Sequence, residues 1–219
     1  MTIVKFPTKF RKVSAAQRRA LQACAPSLAS DAMQGRQTMD AGIKPIARGM
    51  KMLGQARTVL ARGDNGPAMA AIPLMRPGEV MVIDGGERDL HTHWGDITTL
   101  DAAQRGVAGA VVGGSVRDTG EIIEMGFPLF ARGATLRGPP AGPDGAIDLP
   151  VVVGGIVVHP GDVVFGDDDG VVVIPLDELD AVIAATRAKL VKEKSWIAAV
   201  RSGGSLAAAI GIPEPKPVR

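Results

Sequence analysis

The sequence is short of several things, and each shortage narrows what it can be. Its 219 residues include one cysteine, Cys24, so no disulfide can close within the chain, and a reducing compartment is expected. In its apolar setting Cys24 reads as a buried small hydrophobe and not as a nucleophile. Tyrosine is absent and there are only five Phe and two Trp, which leaves Val, Ile, Leu and Ala to build the interior. Neither charge dominates, since 25 Lys and Arg against 23 Asp and Glu leave +2. The basic residues are not interleaved with aromatics, which argues against a nucleic-acid partner. No apolar run approaches the ~18 residues of a membrane-spanning helix, and Met1 to Ser14 lacks the apolar stretch of a secretory signal. Neither GxGxxG nor GxxxxGK[ST] occurs, so dinucleotide and P-loop readings have no support. The expectation is a cytoplasmic protein without a nucleic-acid or membrane partner.

What is present is a globular composition, 46% hydrophobic, with 28 Gly and 16 Pro spread through the chain without a repeat. Ser14 to Ala25 reads as a short helix that Ser14 can cap, with Leu21 and Cys24 on one face. Ser27 to Gly35 reads as a second, capped by Ser27 or Ser30 and stopped by Gly35. Between Ile46 and Ala61, β-type runs are broken at Gly49 and Gly54, and Ala56 to Ala61 is the expected strand. Pro67 suits the first turn of a helix running to about Met75. Glu79 to Asp84 is expected as a strand, Gly85 to Trp94 as a loop and Gly95 to Arg105 as a helix. Gly109 to Val112 follows as a buried strand, Asp118 to Met125 as a helix and Pro128 to Ala131 as a strand.

That alternation predicts βαβ units with neighbouring parallel strands. Leu136 to Gly145 is a Pro/Gly-rich loop. Pro150–Val153, Ile156–Val158, Asp162–Phe165 and Val171–Ile174 then read as short Val-rich strands in hairpins. A long amphipathic helix from Leu176 to Arg201 carries Leu179, Val182, Ile183, Thr186, Leu190 and Ile197 on one face. Its length suggests packing across a sheet or against a neighbouring subunit. Gly203-Gly204 would stop it, and the tail from Gly211 is expected to be mobile. No linker separates two cores, so one α/β domain with a β-rich second layer is expected over 1–219.

The polar residues worth attention lie at Trp94-Gly95-Asp96 and at Arg117-Asp118-x-x-Glu121. Taken alone, Asp118 with Glu121 three residues on resembles a capping box, and Asp96 after a glycine suits a turn. The spacing Gly-Asp–x20–Arg-Asp-x2-Glu adds weight, because helix starts that follow successive parallel strands lie side by side. Free N–H groups there can bind a carboxylate, and Arg117 offers a planar donor fork. Asp96, Asp118 and Glu121 supply hard oxygens suited to Mg²⁺ or Mn²⁺. Such a set suits a 2-oxo acid, chelated through its keto and carboxylate oxygens. His91-x-His93 would need a third ligand to hold zinc; a loop-lining or general-acid role stays open for it. Asp167-Asp168-Asp169-Gly170 lacks EF-hand spacing and reads as a charged hairpin turn.

These residues, with Arg105-Gly106-Val107-Ala108-Gly109, Gly113 to Asp118, Gly126 to Arg132 and Pro160-Gly161-Asp162 through Asp169-Gly170-Val171, resemble the RraA-like family over roughly Ser27 to Pro175. That family holds divalent-metal-dependent 4-hydroxy-4-methyl-2-oxoglutarate / 4-carboxy-4-hydroxy-2-oxoadipate aldolases and regulators of ribonuclease E activity. The resemblance implies a swivelling β/β/α domain, an α/β/β/α sandwich, assembled as trimers or dimers of trimers with sites at subunit interfaces. It implies that Asp118 holds the metal, mostly through waters, with Asp96 and Glu121 in the outer shell. It also implies that Arg117 binds a substrate oxygen, that backbone amides of Gly95-Asp96-Ile97-Thr98 hold the pyruvyl carboxylate, and that Asn65 lines the pocket. Ile97-Thr98 departs from the two aliphatics of the aldolases, and the segment after Arg201 does not match. For the carboxylate that a neighbouring subunit would contribute, Glu178 and Glu193 are the candidates.

Two functions are therefore weighed. The first is a metal-dependent carbon–carbon lyase cleaving 4-hydroxy-2-oxo-dicarboxylates to pyruvate, also decarboxylating oxaloacetate, with a water held by Asp96 and the metal as base. The second is a non-catalytic regulator docking on a ribonuclease or another protein.

Overall fold

A computed structural model describes residues 2–61, 63–86, 91–139 and 144–216. Parallel strands β3 (Met52–Ala61), β4 (Glu79–Asp84), β5 (Gly109–Val116) and β6 (Leu129–Ala134) lie side by side at its centre. Short strands extend this sheet at both edges. β1 (Ile3–Lys5) and β7 (Gly145–Ile147) lie beyond the second half of β3, and β2 (Lys44–Pro45) lies beyond β6. The first half of β3 instead pairs with β10 (Val163–Asp167), which forms a hairpin with β11 (Gly170–Ile174). A separate hairpin, β8 (Val151–Val153) with β9 (Ile156–Val158), packs on β4.

Alternation along the strands divides the interior. Met81 and Ile83 of β4, with Ala110 and Val112 of β5, face α3 (Gly66–Ala71), α4 (Asp96–Gln104) and α5 (Thr119–Glu124). Val80, Val82 and Val111, one residue out of phase, face the Val-rich second layer of Val151, Val153, Val158, Val164 and Val171. The other face of β10 and β11, Val163, Phe165, Val172 and Ile174, is covered by α1 (Ala15–Gln22), α2 (Pro26–Ala32) and α6 (Leu179–Arg201). This is the α/β/β/α sandwich that the resemblance implied.

Several elements depart from the expectations. β3 runs straight through Gly54, because a Cβ there would collide with the Gly78 carbonyl at the start of β4. The glycine permits a close strand approach and does not break the strand. β5 continues four residues past Val112, across a register shift between Val112 and Ser115. α2 starts with Pro26 at its first position and has no side-chain cap, so neither Ser27 nor Ser30 plays that part. Ser14 does cap α1, in a reciprocal capping box with Gln17. Cys24 is half-buried and not enclosed, with Sγ 3.5 Å from the Ala20 carbonyl oxygen. On α6, Leu179, Val182, Ile183 and Thr186 are buried as expected, but Ile197 is exposed. Leu206–Ile210 forms a further short helix, α7. No described helix is long and apolar enough to cross a membrane.

Candidate functional site

Three loops leave the carboxyl ends of β3, β4 and β5 on the same edge of the sheet, where parallel α/β sheets leave a crevice. The first brings Asn65, the second Gly95 and Asp96, and the third Arg117 and Asp118. Asn65, Thr92, Gly95, Asp96, Thr98 and Arg117 line a cavity of about 260 Å³, together with Met69, Ile72, Trp94, Ile97 and Asp101. A larger hollow of about 450 Å³ opens at the other end of the sheet, between Cys24, Lys51 and Asp167. Size does not decide between them; the smaller cavity is where the arginine and the carboxylates converge.

The segment before α4 is firmly anchored. Trp94 is buried, stacks on Phe127 at 5.9 Å between centroids, and donates its indole N–H to Thr99 Oγ1 at 2.7 Å. Thr99 in turn donates to the Gly95 carbonyl at 2.9 Å, and Arg117 N–H donates to the Trp94 carbonyl at 3.1 Å. The 91–96 segment is thereby tied to the end of β5, which holds Asp96 and Asp118 in register.

Asp118 has φ 56° and ψ 38°, a left-handed conformation that costs a non-glycine residue about 1 kcal/mol or more. The capping-box reading of Asp118 and Glu121 fails on this geometry. The Asp118 side chain makes no cap bond to α5 and turns back toward α4. Its Oδ2 accepts from Arg117 Nε at 3.2 Å and from Asp96 N–H at 3.4 Å. A Cβ on residue 95 would stand 2.7 Å from that same oxygen, so Gly95 is what lets the carboxylate approach the start of α4.

Two first-turn amides expected to be open for a substrate carboxylate are engaged by the site's own acids. Asp96 N–H faces Asp118, and Ile97 N–H donates to Asp96 Oδ1 at 2.7 Å. An incoming carboxylate would replace these acceptors. Ile97 itself is 77% exposed at the cavity rim.

A metal could be held here by few protein oxygens. Asp118 is about 30% exposed, and its Oδ1 accepts no hydrogen bond among the described residues. No three His, Cys, Asp or Glu residues among those described gather closely enough to form a full ligand set. One accessible hard oxygen beside Asp96 suits a cation that keeps most of its waters, as Mg²⁺ does, and not a zinc centre. Glu121 is exposed on α5. His93 is fully buried against Gly85 and Gly114, leaving no room for a Cβ at Gly85. Of the two acids considered for a neighbouring subunit, Glu178 already pairs with Arg36 at 3.2 Å, and Glu193 lies half-buried on the second half of α6. Met69, Ile72, Thr92 and Asp101 were not foreseen in the cavity; only knowledge of which strand ends are neighbours could have placed them there.

Residues 27–173 match the model of the RraA-like family described as Aldolase/RraA. A Halalkalibacterium halodurans protein provisionally named 4-hydroxy-4-methyl-2-oxoglutarate aldolase is 36% identical over 161 residues, covering 73% of this chain and 77% of that one. A crystal structure from Pseudomonas syringae pv. tomato, of a protein without assigned function, superposes with a TM-score of 0.82 at 27% identity, covering 95% and 99% of the two chains. A Streptomyces coelicolor protein described as an unusual member of the RNase ES inhibitor RraA protein family superposes with a TM-score of 0.76 at 26% identity, covering 85% and 98%. With two thirds of its length matching the family model and the same layered fold, this chain belongs to the RraA-like family.

Proposed function

We propose that the protein is a divalent-metal-dependent aldolase that cleaves 4-hydroxy-2-oxo-dicarboxylates such as 4-hydroxy-4-methyl-2-oxoglutarate to pyruvate, and that it also decarboxylates oxaloacetate. The observation carrying this reading is the Gly95–Asp96–Arg117–Asp118 constellation, in which the Arg117 guanidinium lines the cavity with the start of α4 and holds beside it the partly exposed Asp118 carboxylate. The naming of the H. halodurans relative points the same way.

Asp118 would hold the cation, with Asp96 and Glu121 contributing through its waters; Mg²⁺ or Mn²⁺ fits such a donor set. The cation would supply Lewis-acid stabilisation of the negative charge that develops on the substrate's C2 oxygen. Arg117, with Nε on Asp118, keeps its two Nη groups to bind the keto or carboxylate oxygen of the pyruvyl half. The first turn of α4, Gly95 to Thr98, positions the carboxylate, helped by the positive end of the helix. Asp96, through a water, takes the proton from the C4 hydroxyl. As C4 becomes a carbonyl, the C3–C4 bond breaks and its electron pair passes to C3, giving the pyruvate enolate. Protonation at C3 completes pyruvate. With oxaloacetate the same bond breaks, carbon dioxide leaves and the same enolate forms, so one site serves both.

A homo-oligomer, a trimer or dimer of trimers, accompanies this reading. The second half of α6 and α7 leave Val191, Ile197, Val200, Leu206 and Ile210 exposed, more apolar surface than scattered single residues explain. Sedimentation of the purified protein checks it, and a monomer at micromolar concentration would count against it.

The test of the reading is pyruvate formation from 4-hydroxy-4-methyl-2-oxoglutarate and from oxaloacetate, with and without Mg²⁺. The similarity to a member of the RNase ES inhibitor RraA protein family supports the second reading, a regulator binding a ribonuclease. A stoichiometric protein partner, with no turnover of any 2-oxo acid, would establish that reading in place of the first.

A further inference from the structure

Thr99 is fully buried on α4, where a hydroxyl costs stability unless its donor and its acceptor both find partners. Both do. Trp94 Nε1 donates to Thr99 Oγ1 at 2.7 Å, and Thr99 Oγ1 donates to the Gly95 carbonyl at 2.9 Å. A helical threonine often bonds the carbonyl four residues back. Two features separate Thr99 from that habit. An indole N–H is a donor only, so the Thr99 proton cannot point toward Trp94 and the direction of the chain is fixed. The carbonyl at its end belongs to Gly95, the N-cap of α4, whose peptide also carries the Asp96 N–H.

A trans peptide holds its C=O and N–H in one plane, pointing opposite ways. The Gly95 carbonyl takes two donors, the Thr99 hydroxyl and the Thr99 N–H at 3.0 Å, which fix the plane of the Gly95–Asp96 peptide. Across that plane the Asp96 N–H faces Asp118 Oδ2 at 3.4 Å, a long contact that an incoming carboxylate can replace. Ile97 N–H is held more closely, by Asp96 Oδ1 at 2.7 Å. Bonds in series polarise one another, so two donors on the carbonyl also strengthen the N–H as a donor.

Resting on the aldolase reading above, we infer that Thr99 is a positioning residue for substrate binding. Its hydroxyl, oriented by the Trp94 indole, aims and strengthens the Asp96 N–H that receives the pyruvyl carboxylate. Thr99 does not line the cavity and acts only through that peptide. The carboxylate keeps its charge from substrate to enolate, so this contact serves ground and transition states alike. Its loss therefore appears in KM and not in kcat.

Four variants separate positioning from packing: Thr99→Val, Thr99→Ser, Trp94→Phe and the double variant Trp94→Phe/Thr99→Val. Calorimetry gives the affinity of the full chain with Mg²⁺ for oxalate, oxaloacetate decarboxylation gives KM and kcat, and thermal unfolding gives Tm. Thr99→Val should weaken oxalate binding and raise KM by about three- to tenfold, the scale of one hydrogen bond, with kcat within about twofold. Thr99→Ser should restore wild-type values. Trp94→Phe, which keeps the hydroxyl, should weaken binding less than Thr99→Val does. Thr99→Val also strands the indole N–H and should lower Tm; the double variant, apolar at both ends, should regain Tm but not affinity. If Thr99→Val fails to fold, the double variant carries the test. The inference is overturned by affinity that returns with Tm, by affinity unchanged in both variants, or by a loss that Trp94→Phe alone already shows in full. In each case oxaloacetate turnover by the wild type leaves the aldolase reading standing. Wild type that neither binds oxalate nor releases pyruvate overturns both, and oxalate binding without turnover of any 2-oxo acid overturns the aldolase reading alone.

Discussion

Arg57 lies within β3 and Arg117 just past the end of β5, each beside an aspartate in the left-handed conformation, Asp148 at φ 65° and Asp118 at φ 56°. Arg57, Glu79 and Asp148 are buried and paired. Nη1 donates to both oxygens of Asp148 at 2.9 Å and Nε donates to Glu79 at 3.2 Å, while Lys5 reaches Asp148 at 3.4 Å. Arg117 and Asp118 are about 45% and 30% exposed and share one contact at 3.2 Å. The first set spends its hydrogen-bonding capacity on joining β1, β3, β4 and the β7–β8 link. The second keeps capacity in reserve at the mouth of a cavity. The same chemical groups hold a fold when saturated and can bind a ligand when not.

Breaking the buried set should have the largest effect. Arg57→Ala leaves Glu79 buried without a cation and Asp148 with Lys5 alone, and about 3–5 kcal/mol of stability should be lost in chemical denaturation. A loss under about 1 kcal/mol would dissolve the contrast. Next comes Gly95→Ala. Its backbone (φ −151°) suits alanine, so the added Cβ acts mainly by displacing the Asp118 carboxylate. A fall in kcat/KM of roughly 10- to 100-fold is expected in steady-state assays, with unfolding nearly unchanged. The two left-handed aspartates then sharpen the comparison through one shared substitution. Asp118→Gly relieves backbone strain at a half-buried site and should leave stability unchanged or raise it by up to about 1 kcal/mol. Asp148→Gly removes a buried partner of Arg57 and should destabilise in the same calorimetric experiment.

The smallest effects concern pH. Asp40 accepts two bonds from Arg132, at 2.7 and 3.1 Å, and that pairing lowers its pKa below the ordinary 3.8. Its stabilisation is therefore full above the unfolded pKa and is lost as pH falls through the lower folded one; at this exposed site it amounts to a few tenths of a kcal/mol. Asp162 behaves oppositely, because burial raises its pKa despite backbone bonds from His159 and Leu176. Its contribution diminishes as pH rises from the unfolded to the folded value. Denaturation of Asp40→Asn against wild type between pH 3 and 6 should show the first slope flattened.

Much of this was legible in the sequence because it depends on local periodicity. The βαβ run, the Val-rich hairpins and the buried first half of α6 follow from alternation at two or about 3.6 residues. What escaped depends on distant pairings. β1 and β7 are three residues each and exist because they pair with one another and with the second half of β3. Gly54 looked like a break because the neighbouring strand that needs its missing side chain begins about 25 residues later. Arg57, Glu79 and Asp148 share no motif, so the buried network had no signature. At the site, Gly95, Asp96, Arg117 and Asp118 were found by spacing, and three of them meet around a single carboxylate oxygen. The capping-box reading failed because a left-handed Asp118 cannot cap the helix it precedes.

The central claim is that Arg117 and Asp118 perform metal-dependent chemistry on a 2-oxo acid. Its most direct test is pyruvate release from oxaloacetate by wild type, Arg117→Ala and Asp118→Ala, each with Mg²⁺ and with a chelator. The account predicts Mg²⁺-dependent turnover in wild type and a loss of at least about 100-fold in each variant, with unfolding midpoints unchanged. Full Mg²⁺-dependent activity in either variant would contradict it.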